Sequence, residues 1–369
     1  MKILVIMPNS LVGGAESIAF NLASTFLDAG HEVVTLIVSR GEGTFWTKLS
    51  NRKRFSLIAS DAADEKTGFL DLRRTIPAAS RHGPFDLVYT SHVHMNALAS
   101  LAIRAGLIKA RFLVSRESTR IFDRFRGLRL ATYKFLYRCY GRQDLLICQT
   151  EEMRASLLEN VTLPPGVPVV VMPNPVNHSR IERALGTQEG KAILPTGQFQ
   201  IVFAGRLIPL KRVDLIIEAL AIIRHRDWRF TVLGEGEMRS ALEGQVASLG
   251  LTDKVTFAGQ VANPYAYFQR ADLGLMTSEI EGFPNVVLEM MASGTRQIIA
   301  TPCTNAIRNL DGIEMLEDPE AENLSAAIDR AIERRPDASA RYRKFIDEHH
   351  SSEGFVRDIL IQLDKDLAL

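Results

Sequence analysis

Short runs of continuous apolar residues alternate with longer stretches of helical spacing along most of the chain. "KILVIMP" (2–8) is apolar throughout apart from its first residue, as a parallel strand covered on both faces requires. In "GGAESIAFNLASTFLDAGH" the positions Ile18, Leu22 and Leu27 fall at helical intervals, and Gly30 marks a C-terminal stop. "EVVTLIVS" (32–39) completes a βαβ unit. "DLVYTS" (86–91), "RFLVS" (111–115) and "LLICQ" (145–149) predict further strands. The pattern restarts at "FQIVFAG" (199–205). It continues through the helix "KRVDLIIEALAII", the strand "RFTVLG" (229–234), the helix "EMRSALEGQVASLG" and the strand "KVTFAG" (254–259). The short helix "NPYAYFQRA", the strand "LGLMT" (273–277) and a helix inside "SEIEGFPNVVLEMMASG" follow. Two such series predict two doubly wound α/β domains. Three prolines within 168–177 interrupt the periodicity at "VVVMPNPVN", so the domains are expected to span 1–172 and 173–349. Ligands of such sheets bind beyond the carboxyl ends of the strands, so the two domains are expected to face a central cleft.

The length of 369 residues suits two cores rather than one. A hydrophobic share of 46% and a charged share of 24% describe an ordinary soluble protein. The net charge of +1 conceals an uneven distribution. Residues 104–142 hold nine Arg and two Lys against Glu117 and Asp123. Phe112, Phe122, Phe125, Tyr133, Phe135, Tyr137 and Tyr140 interleave with them. "GLRLATYKFLYRCYGR" reads as a basic amphipathic helix suited to an anionic membrane surface, more than to nucleic acid; a solvated face is the plainer alternative. Cys139, Cys148 and Cys303 show neither metal-site nor disulfide spacing, which fits a reducing cytoplasm. The N-terminal apolar run is too short for a signal peptide, and no window is long enough for a membrane span. A peripheral location on the cytoplasmic face of a membrane is therefore expected.

Four stretches carry candidate chemistry. In "GRLIPLKR" (205–212), Arg206, Lys211 and Arg212 gather where a helix begins. Cations there oppose the helix dipole, and a bound diphosphate resolves the conflict; carboxylate partners would resolve it equally. In "NSLVGGAES" (9–17), Gly13 and Gly14 let backbone N–H groups approach a ligand, or simply make a tight turn. In "EGFPNVVLE", Glu281 lies in a loop, Gly282, Pro284 and Asn285 suggest a turn and N-cap, and Glu289 is the lone charge of an apolar helix. Burying an unpaired carboxylate costs several kcal/mol, about 3–5, so Glu289 needs a partner from the protein or from a ligand such as a ribose diol. "SHVHMNAL" (91–98) places His92 and His94 at a strand's carboxyl end, for reaction or for binding an oxyanion, with no ligand set completing a metal site. Asp364-Lys365-Asp366 has the spacing of a metal–nucleotide motif but reads as chance at the chain's end.

Together these stretches resemble the retaining glycosyltransferases of family four. "SEIEGFPNVVLEMMASG" looks like that family's E-x7-E signature, "FAGRLIPLKRVDLIIEAL" is similar to its G-R-L-x-x-x-K-G segment, and "VGGAE" resembles its glycine loop. The resemblance implies the GT-B fold, with two Rossmann-like domains and a C-terminal helix, about 350–369, packing back on the first. It implies a nucleotide diphosphate sugar donor, UDP- or GDP-linked, and neither cofactor nor metal. Arg206 and Lys211 would bind the diphosphate and Glu289 the ribose. Glu281, with the backbone of Gly282, Phe283, Pro284 and Asn285, would hold the donor sugar. Gly13 and Gly14 would approach the donor from the first domain. "HMN" (94–96) looks like the H-x-N of members that extend lipid-linked bacterial glycans, placing His94 and Asn96 on the acceptor side, with His92 the less favoured histidine. "SRES" (115–118) departs from the usual S-E-R-N, and Thr304-Asn305 replace a glycine pair, so no role follows for Arg116 or Glu117.

The function these residues imply is transfer, with retention, of a hexose or N-acetylhexosamine to a glycan acceptor. That acceptor is expected to be polyprenyl-diphosphate-linked, in bacterial surface polysaccharide assembly. A soluble-acceptor transferase is the nearest alternative. A sugar-nucleotide 2-epimerase of the same fold and a non-catalytic nucleotide-sugar sensor fit the site residues less well.

Overall fold

The apolar runs form parallel strands in two separate sheets. The computed structural model describes residues 1–11, 13–40, 45–186, 197–308 and 310–363, and the Asp364–Asp366 triplet lies outside them. The chain divides into two compact units. One is Met1–Pro175 together with the segment from Ser352; the other is Val176–Ser351.

The first unit holds β1 (Lys2–Asn9), β2 (Glu32–Ser39), β3 (Phe55–Ala59), β4 (Phe85–Ser91), β5 (Ala110–Arg116), β6 (Leu145–Cys148) and β7 (Val169–Val171). Their order is β3-β2-β1-β4-β5-β6-β7, and every pairing is parallel. β1 is apolar throughout because both its faces are covered. Ile3, Val5 and Met7 pack against the helix Gly14–Asp28, while Leu4 and Ile6 share a core with the helices Glu65–Ser80 and Val93–Arg104. The helices after β1 and β4 thus lie on opposite faces, which opens a crevice at the carboxyl ends of these two strands. The helix Ser352–Leu363 sends Phe355, Val356 and Ile359 into the core beside Phe20 and Phe26.

"VVVMPNPVN" is not wholly a linker. Val169–Val171 is the edge strand β7, and the chain leaves the first unit at Pro175. Val176 then runs beside the returning chain, its N–H donating to the His350 carbonyl at 2.7 Å.

The second unit holds β8 (Phe199–Ala204), β9 (Trp228–Leu233), β10 (Val255–Gly259), β11 (Leu273–Met276), β12 (Gln297–Ala300) and β13 (Glu314–Met315), in the parallel order β10-β9-β8-β11-β12-β13. The helix Val213–Ile222 covers one face and the helix Asn285–Ser293 the other. The switch point here lies between β8 and β11, where the loops 205–212 and 277–284 emerge. No helix of the described residues is long and apolar enough to cross a membrane.

Candidate functional site

In the second unit the backbone around Arg206 is clamped. Gly205 and Leu207 donate to the Leu233 and Glu235 carbonyls, each at 2.9 Å, so pairing with the β9 side continues past the end of β8. Only glycine fits opposite. A Cβ on Gly234 would lie 1.9 Å from the Gly205 oxygen, and one on Gly236 2.3 Å from the Leu207 oxygen. Arg206 itself is exposed and forms no ion pair among the described residues.

The other two cations already have partners. Lys211 pairs with Glu281, and each keeps one-fifth of its side chain exposed. Arg212 adopts φ 48°, in the left-handed region that side chains avoid. Thr277 Oγ1 holds that turn by donating to the Lys211 and Arg212 carbonyls at 2.8 and 3.1 Å. The Arg212 guanidinium lies 3.3 Å from Asp214 and 3.4 Å from Glu279. Carboxylate partners therefore account for Lys211 and Arg212, and Arg206 is the cation of this loop left without an ion pair among the described residues. Glu281, expected on the sugar, is in contact with Lys211, expected on the diphosphate.

The loop before the second helix differs from its expected cap. The N-cap is Pro284, with no side-chain cap bond, and Asn285 is the first helical residue. Phe283 is buried beneath the loop, its ring 6.0 Å from that of His350. Gly294, at φ 97°, closes the helix in a left-handed turn, with Thr295 N–H donating to the Met290 carbonyl at 3.1 Å.

Glu289 is half-buried on this helix. No hydrogen bond to its carboxyl group is found among the described residues. Burial pushes its pKa above the ordinary carboxylate value, and the nearby Arg180 charge opposes the shift. Arg180 itself sits 5.8 Å over the Tyr265 ring. A carboxyl whose folded pKa is raised favours the fold while protonated, and that stability is lost as pH rises from about 4.5 through the folded value. Glu289→Gln is therefore expected to raise the melting temperature at pH 8 and to leave it nearly unchanged at pH 4. Thermal denaturation at both pH values measures this, and an equal effect at both would contradict it.

In the first unit, Gly13 caps the helix Gly14–Asp28. A Cβ there would meet a Glu16 carboxyl oxygen at 2.3 Å, so a larger residue would displace the Glu16 side chain. Glu16 folds back over the helix start, where the dipole favours a carboxylate, and lies 3.6 Å from His92 Nε2. His92 follows β4 and caps the helix Val93–Arg104 at φ 78°, a strained backbone of the kind that gathers at functional sites. Its Nδ1 meets the Ser91 carbonyl at 2.9 Å, which puts the proton on Nδ1 and leaves Nε2 bare. Burial first, then the neighbouring His94, lower its pKa to about 4, so it is neutral at pH 7.

His94 lies 3.4 Å, through Nε2, from Glu65. The other Glu65 oxygen accepts from Asn9 Nδ2 at 3.0 Å. The His94 ring first, then the Asn9 amide, hold the Glu65 carboxyl below its ordinary value against the opposing effect of burial. Glu16, Glu65 and Asn9 were not singled out from the sequence. The signal was there for two of them: Glu16 closes "VGGAE", and Asp64-Glu65 opens a helix.

Asn96 does not line the surface beside His94. It is fully buried, accepting from Thr90 Oγ1 at 2.7 Å and donating to the Arg116 carbonyl at 3.1 Å and the Tyr140 hydroxyl at 3.0 Å. The reversed pair Arg116-Glu117 is buried too. Glu117 accepts from the hydroxyls of Tyr137 (2.8 Å) and Tyr140 (2.9 Å), and burial pushes its pKa up. Arg116 bonds Asn174 and sits beside Tyr89.

The basic segment also divides. In the helix Gly127–Tyr137, Leu128 is 85% and Phe135 62% exposed, seven residues apart and so on one face. Arg124, Arg126, Arg129, Lys134 and Arg138 are exposed around them. Of the seven interleaved aromatics only Phe135 points outward; Tyr137 and Tyr140 are buried and the others pack partly against the core.

Residues 187–348 match the family described as Glycosyl transferases group 1, and residues 12–180 match Glycosyltransferase Family 4. The chain belongs to the glycosyltransferases. It is 26% identical over 307 residues to the GalNAc-alpha-(1->4)-GalNAc-alpha-(1->3)-diNAcBac-PP-undecaprenol alpha-1,4-N-acetyl-D-galactosaminyltransferase of Campylobacter jejuni, covering 79% of this chain and 77% of that enzyme. Its fold is shared with a glycosyltransferase from Rickettsia africae (TM-score 0.76, 19% identity, 99% and 98% of the two chains). It is shared equally with Anabaena HepE, solved with UDP and glucose (TM-score 0.75, 18% identity, 98% and 99%). The GT-B architecture of this glycosyltransferase thus agrees with its two parallel sheets.

Proposed function

We propose that this glycosyltransferase moves a hexose or N-acetylhexosamine, with retention and without a metal, from a UDP- or GDP-linked donor to a polyprenyl-diphosphate-linked glycan. The observation that carries the reading is the β8–β11 switch point. There an exposed Arg206 on a clamped backbone accompanies Glu289, and among the described residues neither the guanidinium has an ion-pair partner nor the carboxyl group a hydrogen-bond partner. A nucleotide diphosphate supplies what each lacks: anionic oxygens for Arg206 and a ribose diol for Glu289. The Campylobacter relative acts on an undecaprenol-linked glycan, and HepE was solved with UDP and glucose; both support the choice of substrates.

In this reading Arg206 takes up negative charge as the anomeric bond to phosphate breaks, and Lys211 joins it once a ligand draws it from Glu281. Glu281, released, accepts hydroxyls of the donor sugar beside the backbone of 282–285. In the first unit, His94 faces the acceptor. The departing phosphate oxygen takes the acceptor's proton, so no dedicated base is required. The test is turnover: the purified chain is incubated with a panel of UDP- and GDP-sugars and a bacterial lipid extract. Labelled sugar should enter the lipid fraction with one donor. Nucleotide release that is independent of added lipid would sink the acceptor assignment.

The chain also works, in this reading, peripherally on the cytoplasmic face of an anionic membrane. The helix Gly127–Tyr137 offers cations for the headgroups and Leu128 and Phe135 for the acyl boundary. Burying a Leu or Phe side chain contributes about 1.5–3 kcal/mol, so Leu128→Ser combined with Phe135→Ser should weaken vesicle binding by at least about tenfold. Flotation with phosphatidylglycerol vesicles measures it. Equal flotation of the double variant at high salt, where charge attraction is screened, would rule out insertion.

A further inference from the structure

The Glu65–His94 contact belongs to a larger arrangement. Asn9 comes from the end of β1, Glu65 and Phe69 from the start of the helix Glu65–Ser80, and His94 from the first turn of the helix Val93–Arg104. Asp64 caps the first of these helices by accepting from the Thr67 N–H at 2.9 Å, which fixes where Glu65 begins. Phe69 stands one turn beyond Glu65 on the same helix face. Its ring lies 6.4 Å from that of His94 and is 38% exposed. The four side chains therefore meet at the crevice between β1 and β4, the place where open α/β sheets bind ligands.

We infer that Asn9, Glu65, Phe69 and His94 form a pyranose-binding subsite for the acceptor sugar. The inference rests on the transferase reading above and adds to it the residues that select the acceptor. A sugar ring presents hydroxyls at its edge and C–H bonds on its face. Recognition of such a ring calls for fixed acceptors of hydroxyl protons beside an aromatic surface, a few placed polar groups in an otherwise apolar wall. Glu65 meets the first need. One of its oxygens accepts from Asn9 at 3.0 Å and the other lies 3.4 Å from His94 Nε2 without hydrogen-bond geometry, which leaves further lone pairs on a side chain still 39% exposed. No hydrogen bond fixes the His94 tautomer, and its Nδ1 takes none within the described residues, so Nδ1 is left to meet a sugar hydroxyl. Phe69 supplies the face. Asn9 is a positioning residue: its amide donates to Glu65 while its carbonyl accepts from the Leu11 N–H at 3.1 Å. The two histidines thereby divide. His92, on a strained backbone and facing Glu16, shapes the crevice, and His94 meets the sugar.

Saturation-transfer NMR on the full chain tests this with four probes, the methyl α-glycosides of glucose, galactose, N-acetylglucosamine and N-acetylgalactosamine. UDP and GDP serve as controls for the second unit. At least one glycoside should receive saturation from the wild type. That signal should fall severalfold in Phe69→Ala and in Glu65→Gln, while the nucleotide signal stays the same in all three proteins. Phe69 is exposed, so its removal leaves the core intact, and the unchanged nucleotide signal verifies this. Nucleotide binding with no glycoside signal overturns the subsite, as does a glycoside signal equal in wild type and both variants. Loss of the nucleotide signal from the wild type overturns the transferase reading itself, and the subsite with it.

Discussion

Arg206→Ala is expected to lower kcat/KM for nucleotide-sugar turnover by about 10²–10³-fold, the usual effect of removing one donor from a site that stabilises developing charge. Stability should be untouched. Arg206 is exposed and makes no ion pair, and its backbone is fixed by Gly205 and Leu207 rather than by its own side chain. Lys211→Ala makes the contrast. It removes a cation too, but it also strips Glu281 of its counter-charge at a site where only one-fifth of each side chain meets water. Activity should fall in both variants, and the melting temperature only in the second. Steady-state kinetics with parallel thermal denaturation separate them. An Arg206→Ala protein with wild-type kcat/KM would refute the diphosphate role.

The largest loss of stability is expected at Glu117. Removing one partner of a buried charged network costs about 3–5 kcal/mol, because the groups left behind lose their hydrogen bonds without regaining water. Glu117→Ala deprives the buried Tyr137 and Tyr140 hydroxyls of their acceptor and leaves Arg116 without its neighbouring opposite charge. Two tryptophans make the measurement clean, since the chain has only two and each unit buries one, Trp46 in the first and Trp228 in the second. In a Trp228→Phe background, fluorescence follows Trp46 alone during urea unfolding. A midpoint shift of less than about 1 kcal/mol equivalent would show that Glu117 is dispensable to the first unit. Glu117→Gln, which keeps an acceptor for one tyrosine, should lie between.

Much of the fold was legible because parallel sheets leave a plain trace. β1, β2 and β8 are covered on both faces, and their apolar runs need no alternation to be recognised. The strands that escaped notice lie at or near the sheet edges, and the helix Glu65–Ser80 escaped with them. β3 and β7 are half-buried along their whole length, so their sequences carry a weaker signal, and prolines beside β7 disguised it further. The candidate site was legible as a set of residue types at strand ends, but not as a set of contacts. Arg206 and Glu289 stand where their positions implied. The Lys211–Glu281 pair joins residues far apart in sequence, and no local pattern announces it. Asn96 was expected on the acceptor side from the resemblance of "HMN" to an H-x-N motif, whereas Tyr140, from a segment distant in sequence, buries it. Those same aromatics suggested a membrane face and instead anchor the basic helix from within. Glu65 was passed over because the helix it opens, Glu65–Ser80, was not read from the sequence.

The return of the chain to its first unit has a consequence for how the protein is made. The core around Phe20 and Phe26 includes Phe355, Val356 and Ile359. A ribosome that has released the first 175 residues has therefore produced a sheet with part of one face still bare. At about 5–20 residues per second, the whole of Val176–Ser351 must be synthesised before that face is covered, a delay on the order of ten seconds or more. During that interval Phe20 and Phe26 lack those late-arriving neighbours, and the nascent chain is a natural client for chaperones that hold exposed apolar surface.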